Sequence, residues 1–271
     1  MKKLSFLIFT LILLSMNAGA QWFVRAGVGA AISTASSMVY DRDMTNSQEL
    51  YSAKKNGYGT GLPVALAAGY WFGENVGIEL GVDYFYGFSS KYTFKDDYTD
   101  LNFKTYGTML SLVPALVGRI TLDKMTPYAR LGLMIGVMNS IITKCEGNSN
   151  SPEFKTSVGK IESKQKSSGG MAIGVQAALG SDYALSDLIS LFAEFQLYGI
   201  SYAPKKGQYK TYKIDGQDQL GNMTTKQKEW KYVKKYDAEK VIPDSEPGEL
   251  PKINTHFNNF GIFVGVKITI P

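Results

Sequence analysis

The chain alternates between apolar and small or polar residues over many short stretches. In "VGIELGVDYFYGF", residues 76–88, one parity is apolar throughout, while the other carries Gly, Glu79, Asp83 and Phe85. Alternation at period two predicts a β-strand with one apolar face. Such a strand fits a soluble sandwich whose apolar face turns inward. It equally fits a membrane barrel whose apolar face contacts lipid and whose polar parity lines the lumen.

Eight stretches share this alternation, and three short turns join six of them into hairpins. The turns lie near Gly73–Asn75, Leu122–Thr126 and Ser181–Asp187. The four other connections are long and polar, at about residues 33–59, 89–103, 143–168 and 203–254. Strict alternation of short and long connections is typical of outer-membrane barrels, whose periplasmic turns are short and extracellular loops long. The pattern therefore predicts an all-β, eight-stranded antiparallel up-and-down transmembrane barrel.

The charged residues of these stretches fall on one parity. We expect seven side chains in the lumen: Arg25, Glu79, Asp83, Arg119, Arg130, Glu194 and Lys267. An eight-stranded barrel has an interior that side chains fill, and buried charges are costly unless they are paired. The sequence thus predicts an ion-pair network that plugs the lumen, with an ion path or proton relay as the functional alternative. The opposite parity carries no charge, although 20% of all residues are charged.

The N-terminus predicts export. Residues 1–20, "MKKLSFLIFTLILLSMNAGA", combine two lysines, an apolar run and small residues, as in a signal peptide cleaved before Gln21. No later segment approaches the roughly 18 apolar residues of a spanning helix, which excludes a helical membrane protein.

The formal net charge of +5 includes Lys2 and Lys3, and the mild excess does not support nucleic-acid binding. Cys145 is the single cysteine, so no intramolecular disulfide forms.

Several segments together resemble the small eight-stranded outer-membrane barrels of the OmpX/OmpA type, and in particular a barrel domain common in Bacteroidetes-like bacteria. They are "GYWFGENVGIELGVDYFY", "LVPALVGRI" before "TPYARLGLMIG", "GSDYALSDLISLFAEFQLY" and "NNFGIFVGVKITI". The resemblance covers nearly all of the chain after residue 20 outside the long connections. It implies a fold strongly and a function weakly, because these motifs are patterns of strand residues and not catalytic signatures.

The last long connection mixes lysines with aromatic residues. Trp230, Tyr232, Lys234 and Lys235 form a candidate binding surface for polysaccharide, lipopolysaccharide phosphates or a host protein, since aromatics supply contact area and Lys attracts anions. The alternative is a solvated or partly disordered loop.

Catalysis finds little support in the sequence. A barrel esterase or lipid A deacylase would need a nucleophile and a carboxylate near His256, the only histidine. Ser201 and Glu194 are close in chain order, but no motif ties them to it. No Cys/His ligand set or phosphate-binding motif is present, so we expect no metal and no cofactor.

The resulting hypothesis is a monomeric, non-enzymatic outer-membrane protein with a structural or surface-interaction role. Its expected partners are membrane lipid and, at the loops, polysaccharide or protein, but not nucleic acid. The alternatives are a small-solute channel, an outer-membrane lipid-modifying enzyme and a soluble exported sandwich.

Overall fold

One continuous sheet contains the strands of this chain in the computed structural model, which describes residues 21–34, 37–44, 50–149 and 159–270. The predicted signal peptide and parts of the first and third long connections lie outside these residues. The described strands number 17. They are β1 (Gln21–Ser33), β2 (Ser37–Met44), β3 (Leu50–Asn56), β4 (Gly61–Trp71), β5 (Val76–Gly87), β6 (Ser90–Asp96), β7 (Thr99–Arg119), β8 (Met125–Ser149), β9 (Lys160–Ser168), β10 (Ala172–Ala184), β11 (Ile189–Tyr202), β12 (Lys206–Ile214), β13 (Gln217–Asp218), β14 (Glu229–Val233), β15 (Gly248–Pro251), β16 (Thr255–His256) and β17 (Asn259–Ile270).

Eight long strands close into a ring. Each pairs antiparallel with its neighbours in the order β1, β4, β5, β7, β8, β10, β11 and β17. The ring closes because β17 pairs with β1 along its whole length, from Trp22 opposite Ile270 to Ser33 opposite Asn259. This confirms the predicted eight-stranded up-and-down barrel.

The two faces of the ring have opposite chemistry. Outward side chains are apolar and strongly exposed, among them Leu116 at 63% and Leu131 at 61%. Their neighbours Val117 and Arg130 point inward and are buried. Over the eight alternating stretches, the outward positions carry no Asp, Glu, Lys or Arg, which suits a face against hydrocarbon because a cation there costs about 2–4 kcal/mol at the midplane.

The long connections contain strands that extend the barrel wall. β7 and β8 run past the ring, and β6 pairs with β7 while β9 pairs with β8. On one side β2 and β3 continue this sheet, and on the other β12, β14 and β15 do so. We call these pairings the extension sheet. The expected loops at 89–103 and 143–168 are therefore largely strands. The alternation is short in β6 and the outer part of β7, where the ring of Tyr92 stacks on Phe103 with centroids 4.7 Å apart, and β9 is polar apart from Ile161. The hydrophobic pattern therefore did not reveal these strands.

A β-bulge changes the facing of β8 where it leaves the ring. Leu110 lies opposite Met138, and the next residue, Ser111, lies opposite Gly136, which leaves Val137 as the extra residue. Beyond a bulge the alternation of faces shifts by one residue. Met138 is accordingly 69% exposed, and Cys145 turns to the inner face of the extension sheet, where it is buried.

The helical content is small. The described residues include a 3₁₀ turn at Leu220–Asn222 and helix α1 (Thr225–Lys228). None of the helices described is long and apolar enough to cross a membrane.

The burial of Cys145 predicts an unreactive thiol. Burial raises the pKa of this thiol to about 11, and only the thiolate reacts with alkylating reagents. We expect iodoacetamide at pH 8 to label the folded protein at least about 100-fold more slowly than the urea-unfolded protein. Mass spectrometry of timed samples measures the rate. A Cys145→Ser, Asn148→Cys variant provides an exposed thiol on the same strand as a control. Equal labelling of Cys145 in folded and unfolded protein would contradict its placement.

Candidate functional site

The barrel lumen is filled in three layers of side chains. Phe23, Trp71, Val117, Tyr128, Phe192 and Phe263 form an apolar cluster toward the short turns. Phe85, Met109, Val113, Met134, Ile200 and Phe257 belong to a second cluster toward the long connections. Along β11 the inward residues run Phe192, Glu194, Gln196, Tyr198 and Ile200. The chain thus passes from one apolar layer, through a polar layer, into the other.

Two arginines and two glutamates form the centre of the polar layer, which we call the ion cluster. Arg25 Nη2 lies 2.6 Å from Glu194 Oε1, and Arg130 Nη2 lies 2.7 Å from the same oxygen. Arg130 Nη1 lies 3.1 Å from Glu79 Oε1, and Arg25 Nη1 lies 3.7 Å from Glu79 Oε2. Each guanidinium therefore contacts both carboxylates, and all four side chains are at most 7% exposed.

Amides and phenols join further groups to the ion cluster. Gln176 accepts from Arg130 Nη1 at 2.9 Å and donates to Asp83 Oδ2 at 3.0 Å. The Tyr198 hydroxyl also donates to Asp83, at 3.2 Å. Asp83 is thus linked to the cations through neutral donors and not through a direct ion pair. Gln176 is fully buried. The alternation of its strand places it on the lumen-facing parity, but a lone glutamine carries no charge pattern that would mark it as a partner of the ion cluster.

Lys267 has a partner that the sequence interpretation missed. Its Nζ donates to Asp182 Oδ2, and both side chains are buried. The sequence pattern places Asp182 in the turn at 181–187, whereas β10 continues to Ala184. The available signal was parity, because Asp182 falls on the same inward parity as Gln176 and Ala178.

The sequence predicts Arg119 as a member of the lumen network, but in the structure Arg119 does not join the ion cluster. It ends β7 at the short-turn rim, where it is half-buried. Its Nε donates to the Glu74 carbonyl at 2.7 Å, and its guanidinium lies 3.9 Å from the centre of the Trp71 ring. Its parity is inward as predicted, but its position at the last residue of the strand places the long side chain beyond the polar layer.

The predicted loop surface divides into two parts. Trp230 and Tyr232 lie on β14 and are half-buried. The indole covers Gly207, where an added Cβ would lie 2.2 Å from it, and the Tyr232 hydroxyl lies 2.9 Å from Ser167 Oγ. Lys234 and Lys235 follow the strand and are exposed. The two aromatics therefore hold the extension sheet together, and the four residues do not form one exposed patch.

A cleft of about 440 Å³ opens beside Trp230. Its lining combines aromatic, amide and charged groups, among them Gln165, Tyr209, Lys226, Trp230, Tyr236 and Lys240. We call it the loop cleft. Sequence reasoning identified its aromatic and lysine content but could not assemble residues that come from three separate segments.

His256 pairs with Ser201 on the outside of the barrel. Ser201 Oγ lies 2.8 Å from His256 Nδ1, and both residues are exposed. Glu194, the carboxylate considered with them, points into the lumen and cannot reach this pair. Among the described residues, no carboxylate hydrogen-bonds to the imidazole.

A closed antiparallel ring with an apolar exterior and an ionic interior defines a transmembrane β-barrel. The chain belongs to the family of the outer membrane protein beta-barrel domain, whose family model matches residues 6–224. This confirms the resemblance at the level of the family and places the protein in the bacterial outer membrane. No curated protein matches the chain.

Similar solved structures are small outer-membrane proteins. Neisserial surface protein A is 10% identical, covering 92% of this chain and 96% of that one, with a TM-score of 0.36. The outer membrane protein OprG from Pseudomonas aeruginosa is 12% identical, covering 94% and 98%, with a TM-score of 0.45. Ail, the attachment invasion locus protein of Yersinia pestis, is 10% identical, covering 93% and 97%, with a TM-score of 0.33.

The ion cluster predicts that loss of Glu194 strongly destabilises the barrel. A Glu194→Ala variant leaves two buried guanidiniums with one carboxylate, and removal of one partner from a buried pair costs about 3–5 kcal/mol. Urea unfolding in lipid vesicles, followed by tryptophan fluorescence, measures the change.

Glu162→Ala is the matched control. Glu162 lies 2.6 Å from Lys160, the same separation as in the Arg25–Glu194 pair, but on the exposed extension sheet. We expect its unfolding midpoint to equal that of the wild type, because exposed pairs contribute little. Equal shifts for the two variants would show that burial of the ion cluster does not stabilise the fold.

Proposed function

We propose that the protein is a monomeric, non-enzymatic outer-membrane barrel whose plugged lumen anchors a surface-interaction sheet. The observation that carries this proposal is the filling of the lumen by the ion cluster between two apolar layers. The cavity beside Asp83 and Phe85 has a volume of about 10 Å³. That is about the least space that holds one water molecule, which favours a plug over a channel for solutes.

The extension sheet supports the surface role. If the long connections are extracellular, as in other barrels of this kind, this sheet stands outside the membrane. The loop cleft offers aromatic faces, amide groups and lysines within about 440 Å³. This chemistry suits the hydroxyl groups and ring faces of a polysaccharide, or an acidic segment of a protein.

A non-enzymatic role is favoured by the separation of the groups that a hydrolase would combine. Ser201 and His256 face outward at the long-connection end, while Glu194 is bound by Arg25 and Arg130 in the lumen. A triad needs the third group to orient the base.

The plugged lumen predicts a barrel that does not conduct. Purified, folded protein in planar bilayers should give no large, stable conductance steps, because the polar layer is occupied by paired side chains. Before the recordings, heat-modifiable gel mobility must show that the protein is folded. Reproducible large steps from the monomer would contradict the plug and favour the small-solute channel.

We expect adhesion to depend on residues of the loop cleft and on the lysines beside it. Because Trp230 and Tyr232 support the sheet, the sharper variant changes the exposed Lys234, Lys235 and Tyr236 to Ala. Loss of an aromatic hot spot should weaken binding to glycan arrays or host-protein panels by about 30-fold.

The control removes one lysine and one tyrosine elsewhere on the extension sheet. Lys95→Ala with Tyr98→Ala changes exposed residues near the turn between β6 and β7, and it should bind as the wild type does. If both variants bind as the wild type does, this connection is a solvated loop with no binding role.

A further inference from the structure

Four lysines lie side by side across four neighbouring strands. Lys91 on β6 lies opposite Lys104 on β7, Lys104 lies opposite Lys144 on β8, and Lys144 lies opposite Lys164 on β9. Directly opposite residues in antiparallel strands share one face, with Cβ atoms about 4.5–5.5 Å apart. We call this set the lysine row. It spans about 15 Å of the sheet at the usual strand spacing.

The lysine row lies on the outer wall of the protein. On β7 the outward parity runs from Leu116 and Leu112 through Leu110 and Tyr106 to Lys104. On β8 the bulge at Val137 brings Met138, Ile142 and Lys144 to the same face. Without this extra residue, Lys144 would point to the inner face and the row would be broken.

Such a row is unfavourable unless an anion neutralises it. Like charges directly opposite each other destabilise a sheet. Within the described part of the chain, none of the four ammonium groups forms an ion pair within 4.0 Å. The next row away from the barrel carries Glu146 and Glu162, which lie opposite each other on this face, and Glu162 pairs with Lys160.

The height of the row corresponds to the headgroup layer of a membrane. The outward rings of Tyr86 and Tyr106 are in contact, with centroids 5.9 Å apart, and belong to the aromatic belt that marks the hydrocarbon boundary. Lys104 lies two residues from Tyr106 on the side away from the hydrocarbon, about 7 Å along the strand. The headgroup region beyond the hydrocarbon is about 5–8 Å thick on each side. The ammonium groups are therefore level with lipid phosphates.

A groove with a mixed lining lies directly below the row. It has a volume of about 420 Å³, and its lining combines the apolar Leu110, Val137 and Met138 with Lys166 and with polar groups that include Thr108, Ser140 and Ser168. Lys166 lies opposite Ile142, one row nearer the membrane than Lys164. The groove combines apolar side chains at the hydrocarbon level with a lysine at its upper end, which suits a lipid better than a free anion.

We propose that the lysine row and Lys166 bind the phosphate groups of a phosphorylated lipid of the outer leaflet, whose acyl chain lies in the groove beside Met138. The proposal rests on the proposed function in one respect, namely that the long-connection end faces the outside of the cell. Each lysine near an anionic lipid surface contributes about fivefold to affinity. Three lysines therefore account for about 100-fold.

The test uses the full chain, folded in micelles of a neutral detergent, and diphosphoryl lipid A as the probe. Native mass spectrometry during titration gives the apparent Kd. The row variant carries Lys104→Gln, Lys144→Gln and Lys164→Gln, and we expect its affinity to fall about 100-fold. The control variant carries Lys231→Gln, Lys234→Gln and Lys235→Gln, three exposed lysines of the loop region, and should bind as the wild type does.

Two further arms identify the ligand. Lipid A without phosphates should bind as weakly as diphosphoryl lipid A binds the row variant. Inorganic phosphate at millimolar concentration should not displace the lipid, because it gains nothing from the groove. Equal affinity of the wild type and the row variant, equal binding of the phosphate-free lipid, or displacement by inorganic phosphate would each overturn the proposal.

Stability provides a second readout. In neutral detergent the row variant should unfold at a higher urea concentration than the wild type, because repulsion across the row is removed. If the triple variant does not fold, Lys144→Gln alone should lose about fivefold in affinity, and unchanged affinity there would overturn the proposal. The control variant also separates the two hypotheses, since it alters residues of the adhesion surface and leaves the lysine row intact.

Discussion

Hydrocarbon offers no hydrogen-bonding partner to a peptide group, and the rest of this structure depends on that constraint. A sheet can cross a membrane only if every strand is paired on both sides, which requires a closed ring. The seam between β1 and β17 supplies the last set of backbone hydrogen bonds. Closure then fixes the two faces, because alternate residues must point to lipid or to a lumen too narrow for bulk water.

In the lumen the buried charges stabilise one another, because each lies beside a charge of opposite sign. Arg25 and Arg130 share Glu79 and Glu194, and loss of any one of these groups leaves an opposite charge buried with fewer partners, which is strongly destabilising. Apolar layers on both sides keep water from the cluster. The same arrangement fills the lumen, and in the function that we propose the barrel is therefore closed to solutes and the outer wall and the extension sheet carry the surface role.

The sequence predicts the barrel well because its signal is local. Each ring strand shows its own alternation, and the inward parity of Glu79 or Lys267 follows from neighbours two residues away. Asp182 illustrates the limit of this reasoning, since turn-like neighbours hid its strand parity. Arg119 illustrates another, because parity gives the direction of a side chain but not its depth along the barrel.

The extension sheet could not be predicted in the same way, since neither of its faces is uniformly apolar. Its pairings join segments far apart in the chain, and the lysine row exists only after four strands are aligned in register. The bulge at Val137 is also not predictable from the alternation, and this single inserted residue reverses the facing of every residue beyond it on β8. Trp230 and Tyr232 have the composition of a binding surface, yet one covers Gly207 and the other binds Ser167.

Closure of the ring is tested most directly by a disulfide across its seam. Val28 on β1 lies opposite Val264 on β17, and Leu66 on β4 lies opposite Val82 on β5. Both pairs face lipid and occupy the same position in the ladder of backbone hydrogen bonds, and antiparallel neighbours lie within the Cα range that a disulfide accepts. In a Cys145→Ser background, Val28→Cys with Val264→Cys should oxidise as completely in membranes as Leu66→Cys with Val82→Cys. Cross-linking of the β4–β5 pair without cross-linking of the β1–β17 pair would mean that the sheet is open, and the account of both its faces would be wrong.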